Sequence, residues 1–196
     1  MTCPLEHDVF AAPHVHTLRV DPPGRFAQTC NILYERRLIE RLGGFDERAI
    51  AGEDVEVSLR ARAVGARVVA APDAVVNHAV ESYTLAGIVR ENLKWRHLAY
   101  LVARHPEFRR ELPLRVFWDT EHLKTTAAVL AAAGARHNRA LAALALPWAL
   151  GAVNRRGPTL RARATAAVEL PGQFLRQLAE VIGLAVGGAR HRTPIL

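Results

Sequence analysis

Acidic residues almost vanish from the last third of this chain. From Arg136 to the C-terminus stand nine arginines and only two acids, Glu169 and Glu180. Cysteine is nearly absent too. Cys3 and Cys30 have no metal-ligand or redox spacing, which excludes a disulfide framework and leaves a reducing compartment as the default. Aromatic residues make up 6% and are not interleaved with the arginines. No nucleic-acid motif appears, so nucleic acid is not an expected partner. No apolar run reaches the roughly 20 residues that cross a bilayer. The N-terminus has no basic stretch leading into an apolar run, so it does not read as a signal peptide. There is no internal repeat.

What is present fits one domain, or one domain with a helical appendage. The chain has 196 residues, of which 50% are hydrophobic and 23% charged. The net charge is +7 and the pI about 10.4. Such a surface favours phosphates or anionic lipid headgroups, or is simply a solvated basic face.

Residues 1–28 read as an irregular, Pro-rich segment with Pro4, Pro13, Pro22 and Pro23. Its His7, His14 and His16 read as solvated loop histidines, although His14 and His16 share one side of an extended stretch. Tyr34–Leu42 predicts a short helix with Leu38, Ile39 and Leu42 inward, stopped by Gly43-Gly44. Phe45 is expected to turn back into the core. Glu53–Val64 predicts a second helix with Val55, Leu59 and Ala63 on its apolar face. Glu56 and Arg60 form an i,i+4 ion pair on it, expected to be exposed. Gly65 ends that helix. Arg67–Ala71 and Ala74–His78 read as short extended pieces around a Pro72-Asp73 turn.

Thr84–Arg104 predicts one long amphipathic helix, with Leu85, Val89 and Leu93 in register and Trp95, Leu98 and Val102 continuing the stripe. His105-Pro106 breaks it. Leu123–Gly134 and Ala140–Val153 predict a helical hairpin, packed on the domain or lying at a membrane surface. Thr159–Val186 predicts a final helical region interrupted at Pro171-Gly172.

One block carries chemistry. It runs Thr29-Cys30-Asn31, Gly43-Gly44-Phe45-Asp46-Glu47, Gly52-Glu53-Asp54-Val55-Glu56-Val57-Ser58-Leu59-Arg60, Gly65 and Val75-Val76-Asn77-His78. In this order and spacing it resembles the acceptor half of family-2 glycosyltransferases, which move a sugar from a nucleotide donor to an acceptor hydroxyl. The resemblance is good over about residues 26–105 and loose beyond. It implies an α/β fold class: a partial GT-A domain over residues 29–105, then a mainly α-helical region over 106–196.

The resemblance also assigns roles. Asp54 of the Glu53-Asp54 pair is the base that takes the acceptor's proton during an inverting transfer. The helix N-terminus behind it is expected to keep the carboxylate ionised. Alone, Glu53 and Asp54 read as first-turn acids that cap a helix. Asn31 matches a small-residue-Asn step beside the donor sugar, or alone a turn residue. Asp46 and Glu47 line the acceptor cleft or face solvent. His78 stands where some related transferases carry a ligand of Mg²⁺ or Mn²⁺ bridging the donor's diphosphate, or is a hydrogen-bonded strand-end histidine. Arg90, Lys94, Trp95 and Arg96 resemble a basic-aromatic step that contacts diphosphate or acceptor.

The family also implies nucleotide-binding β-α units and an Asp-x-Asp ahead of this block. No β-α-β pattern precedes Thr29 and no Asp-x-Asp occurs anywhere. The expectation is therefore the acceptor-side half of a transferase. It would be a truncated product, a mis-set start, or one half of a split enzyme whose partner chain supplies the rest. Expected partners are a nucleotide-sugar donor and a glycan or lipid-linked acceptor of cell-envelope or polysaccharide synthesis. The expected place is the cytoplasm, peripheral on the inner face of the plasma membrane. The alternative is a non-catalytic basic protein that docks on membranes or on a partner.

Overall fold

The computed structural model of the chain describes residues 1–4, 12–21 and 26–196. His7, Pro22 and Pro23 lie outside the described residues. The rest of the N-terminal segment is not wholly irregular. It supplies β1 (Thr2–Cys3), parallel to β3 (Val76–Asn77), and β2 (Val15–His16), antiparallel to β4 (Glu81–Ser82). These strands anchor the far end of the motif block. The stretch read as extended over Arg67–Ala71 is exposed but forms no strand, because no ladder partner runs beside it among the described residues.

Helix α1 (Arg36–Leu42) starts two residues later than expected and ends as expected. Gly43 adopts a left-handed φ of 76°, and the Gly43 and Gly44 amides donate to the Glu40 and Ile39 carbonyls. Helix α2 (Glu53–Ala63) follows Gly52, also left-handed at φ 76°. A Cβ on Gly52 would stand 3.1 Å from the Leu98 side chain, so only glycine lets the helix begin this close to its neighbour. The buried face of α2 comprises Val55, Glu56, Val57, Ser58 and Ala61, while Ala63 is exposed. The helix is covered on more than one side, so the narrow Val55–Leu59–Ala63 stripe understates what it buries.

After Thr84 the chain is helical. The predicted single helix over Thr84–Arg104 is three pieces: α3 (Leu85–Asn92), a 3-10 turn (Leu93–His97) and α4 (Leu98–Arg104). The inward residues are Ile88, Asn92, Ala99, Leu101 and Val102, and Leu85 is exposed. The tighter 3-10 turn brings backbone against Gly183 and Gly187 of the last helix. A Cβ at Gly187 would meet the Arg96 carbonyl oxygen at 2.0 Å. The expected hairpin forms from α5 (Thr120–Gly134) and α6 (Leu146–Asn154), joined through a 3-10 segment, Arg139–Ala145. It packs inward through Ala128, Trp148 and Ala152.

The last helix, α7 (Leu160–Arg190), runs unbroken through Pro171, contrary to the expected interruption. Pro171 and Ala167, whose carbonyl loses its partner, are both exposed, so water replaces the missing bond. Among the described residues no helix is long and apolar enough to cross a membrane.

One core joins motif block and tail. Val55 of α2, Leu101 and Val102 of α4, Phe108, Trp118, Leu184 of α7 and Ile195 pack together. Phe26 stacks on Trp118 at 5.2 Å, and Trp95 meets Trp118 edge-on at 6.1 Å.

Beside Trp95 lies a buried charge. His122 of α5 stands 2.9 Å from Asp119 Oδ1 and 3.3 Å from Glu180 Oε2 of α7. Glu180 Oε1 also accepts from Asn92 Nδ2 at 2.6 Å, so α3, α5 and α7 meet at one carboxylate. Burial alone would lower the imidazole's pKa, but Asp119 and Glu180 outweigh it and push it up to about 9. The folded chain thus holds this proton more tightly than the unfolded chain. The stabilisation is complete below the unfolded value of about 6.5. It is lost as pH rises through about 9. The melting temperature is expected to fall across that window, and His122→Gln to flatten the fall. A variant as pH-sensitive as the parent would remove His122 as the cause.

Candidate active site

The first turn of α2 faces the 3-10 turn Leu93–His97 across a cleft of about 830 Å³. Glu53 and Asp54 line one wall, and Lys94, Trp95 and Arg96 the other; Asn92 and His16 complete it. Five residues singled out in the sequence therefore meet, although some 40 positions separate the two groups. Asn92 belongs to the stretch Asn92-Leu93-Lys94-Trp95-Arg96, but only its burial marks it as part of the wall. His16 carries no sequence signal for this place, because the pairing of β2 with β4 puts it there.

Asp54 is half-buried. Its Oδ1 accepts from the Val55 amide at 2.7 Å and its Oδ2 from the Thr29 amide at 3.3 Å. The Thr29-Cys30-Asn31 step and the Glu53-Asp54 pair thus meet through a backbone donor. Gly52 holds the N-cap position, which a glycine cannot cap, and Asp54 answers a first-turn amide of α2 from inside the helix, as the first-turn-acid reading implies. Burial pushes the Asp54 carboxyl above its ordinary value, and the two amides and the helix end do not reverse this. The net direction is therefore opposite to the downward pull expected from the helix end alone. A carboxylate raised by desolvation is a better proton acceptor than an exposed one.

The mount beneath Asp54 is a buried ion pair. Glu56 is 1% exposed, so the expectation of an exposed pair is wrong. Arg60 Nε donates to both Glu56 oxygens at 2.8 and 2.9 Å. Arg60 Nη1 and Nη2 donate to the Leu42 and Gly44 carbonyls at 2.6 and 2.8 Å. His105 Nε2 lies 3.2 Å from Glu56 Oε1. Burial pushes the Glu56 carboxyl up, but Arg60 and His105 outweigh it and the net direction is down. Glu56 and Arg60 thus join α2 to the Gly43-Gly44 turn and to the end of α4.

The turn at Asp46 is held as tightly. Asp46 takes a two-pronged contact from Arg48 at 2.9 and 3.0 Å and accepts from Tyr100 at 2.7 Å. Arg48 and Tyr100 together hold this carboxyl well below the usual carboxylate range. With Gly44 and Asp46 tethered on either side, Phe45 turns outward and is 44% exposed, not plugged into the core.

The other singled-out residues stand apart from the cleft. Asn31 Nδ2 donates to the Met1 and Ala74 carbonyls at 3.0 and 2.8 Å, tying β1 to the strand region before β3. Glu47 and Arg90 are exposed. His78 Nδ1 lies 2.8 Å from the Ala79 carbonyl and 3.4 Å from Thr17 Oγ1. No three potential metal ligands gather at His78 or elsewhere among the described residues. In the cleft, Lys94 pairs with Glu91 at 2.7 Å, whereas Arg96 is exposed and pairs with no carboxylate among the described residues.

Compared with known proteins, residues 2–97 match the family model described as glycosyltransferase like family 2. The matched span begins well before Thr29 and ends at the cleft's second wall. No curated protein and no solved structure matches the chain.

The buried pair generates a sharp expectation. Glu56→Gln removes the counter-charge of Arg60 and turns an amide N–H toward the guanidinium in place of one accepting oxygen, and is expected to cost about 3 kcal/mol in urea unfolding. A loss below about 0.5 kcal/mol is what an exposed pair would give, and would contradict the role assigned to it.

Proposed function

We propose that this chain, whose residues 2–97 form a glycosyltransferase family 2-like segment, provides the acceptor side of an inverting sugar transfer. The observation that carries the reading is Asp54, half-buried in the cleft opposite Trp95 with its carboxyl raised by burial. An acceptor hydroxyl in this cleft gives its proton to Asp54 as its oxygen attacks the anomeric carbon of the donor. The bond from that carbon to the nucleotide's diphosphate breaks, and its electron pair leaves with the diphosphate. Trp95 offers an apolar face for a sugar ring, and Lys94 and Arg96 offer donors to its hydroxyls. The acceptor in this reading is a glycan or lipid-linked sugar of cell-envelope or polysaccharide synthesis.

The sequence contains no Asp-x-Asp, so the donor's diphosphate is held by groups outside this cleft. The test therefore supplies a nucleotide-binding half, in cis or as a partner chain, and follows transfer from UDP- and GDP-sugars. Asp54→Asn is expected to lower the rate by about 10²–10⁴ with donor affinity unchanged. Its effect on stability has the opposite sign to a structural carboxylate's. The folded value is raised, so the fold opposes ionisation, and stability falls as pH rises past the ordinary carboxylate value. Asparagine at this position is thus expected to be neutral or stabilising at pH 7. Near-full turnover in the Asp54→Asn variant would sink the assignment and move the base to Glu53.

A further inference from the structure

Between Glu121 and Glu169 the sequence carries no acid, yet it carries Lys124, Arg136, Arg139, Arg155, Arg156, Arg161 and Arg163. The structure neutralises three of these. Lys124 pairs with Glu121 at 2.6 Å, and Arg155 and Arg156 both hold Glu169. Arg136, Arg139, Arg161 and Arg163 are exposed and pair with no carboxylate among the described residues.

Large apolar side chains are exposed on the same elements. Leu141 and Leu144 stand one turn apart on the 3-10 segment, and Leu146 and Leu150 one turn apart on α6. Leu160 and Val168 lie two turns apart on α7 and are 85% and 82% exposed. Leu141 packs in part over Gly134; the others do not serve the core, because the hairpin packs inward through Ala128, Trp148 and Ala152. A face of exposed leucines set among arginines without carboxylate partners, on helices that cannot span a bilayer, has the make-up of a helix lying in a lipid interface.

We propose that the face formed by Arg139–Ala145, α6 and the start of α7 docks on an anionic lipid surface. The leucines enter among the first methylenes and the exposed arginines meet headgroup phosphates. Charge decides among occupants. A second copy would set two acid-free basic faces against each other. A nucleic acid would satisfy the arginines and leave the leucines in water. Anionic lipid answers both. Docking through this face is independent of the role of Asp54.

Sedimentation of the full chain with vesicles tests it. Binding is expected to phosphatidylcholine vesicles containing phosphatidylglycerol, to weaken as salt rises, and to be absent from pure phosphatidylcholine. Arg139→Gln with Arg161→Gln should weaken binding about 30-fold, near fivefold for each arginine. Leu144→Ser with Leu150→Ser should weaken it about tenfold or more. All four sites are exposed, and far-UV dichroism confirms that the variants fold. Arg37→Gln with Arg41→Gln, exposed on α1, should leave binding unchanged. Equal recovery from both vesicle types would overturn the proposal. So would loss in the α1 control as large as in the tail variants. A dimer in sedimentation velocity that Leu144→Ser with Leu150→Ser dissociates would assign the face to a second copy instead.

Discussion

Glu56 and Arg60 hold together three stretches that have little else in common. A carboxylate removed from water is costly unless every oxygen is answered. Here Arg60 answers both oxygens and His105 approaches one of them. The guanidinium then uses its remaining donors on the Leu42 and Gly44 carbonyls. That geometry sets the rotation of α2 about its axis, and Asp54 lies on the same helix about half a turn before Glu56. The carboxylate facing the cleft owes its direction to the one facing away from it. Charge is satisfied at Glu56 and Asp46, and left less fully answered at Asp54, the carboxylate that the proposed transfer uses as its base.

The helical tail is a structural part of the cleft. Asn92 is held by Glu180 of α7, and Trp95 lies against His122 at 4.9 Å and against Trp118. Gly183 and Gly187 let the 3-10 turn settle onto α7. The wall opposite Asp54 is thus positioned by residues about 90 positions downstream. The outward face of the same tail, with exposed arginines and leucines, is available for a surface outside the protein. The tail therefore supports the cleft inward through glycines, a buried histidine and one glutamate, and presents leucines and arginines outward.

Much of the local structure was legible. Gly43-Gly44 ends α1 because left-handed φ favours glycine there, and His105-Pro106 ends α4 because the residue before proline avoids helical backbone. Leu38, Ile39 and Leu42 are the half-buried face of α1, as their spacing implies. Other readings failed for identifiable reasons. Pro171 does not break α7, because the carbonyl it orphans is solvated. Phe45 points outward because the residues flanking it are tethered. Leu85 lies outside because it is the first residue of α3, whose buried face is carried by Ile88 and Asn92. Glu56 looked like a surface charge because i,i+4 spacing gives the pairing and says nothing of what covers it.

By itself the sequence determined the order of helices, their stops, the acid-poor basic tail and the motif block with its Glu53-Asp54 pair. These are local properties, set by backbone sterics, periodicity and composition within a few residues. Only the tertiary structure decided which carboxylate is buried and paired and which faces the cleft. It alone brought Lys94, Trp95 and Arg96 opposite Asp54, and placed Asn31, His78 and Asp46 outside that cleft. The reason is that desolvation, ion pairing and close backbone approach depend on neighbours distant in sequence, and the spacing of residues along the chain carries no record of them.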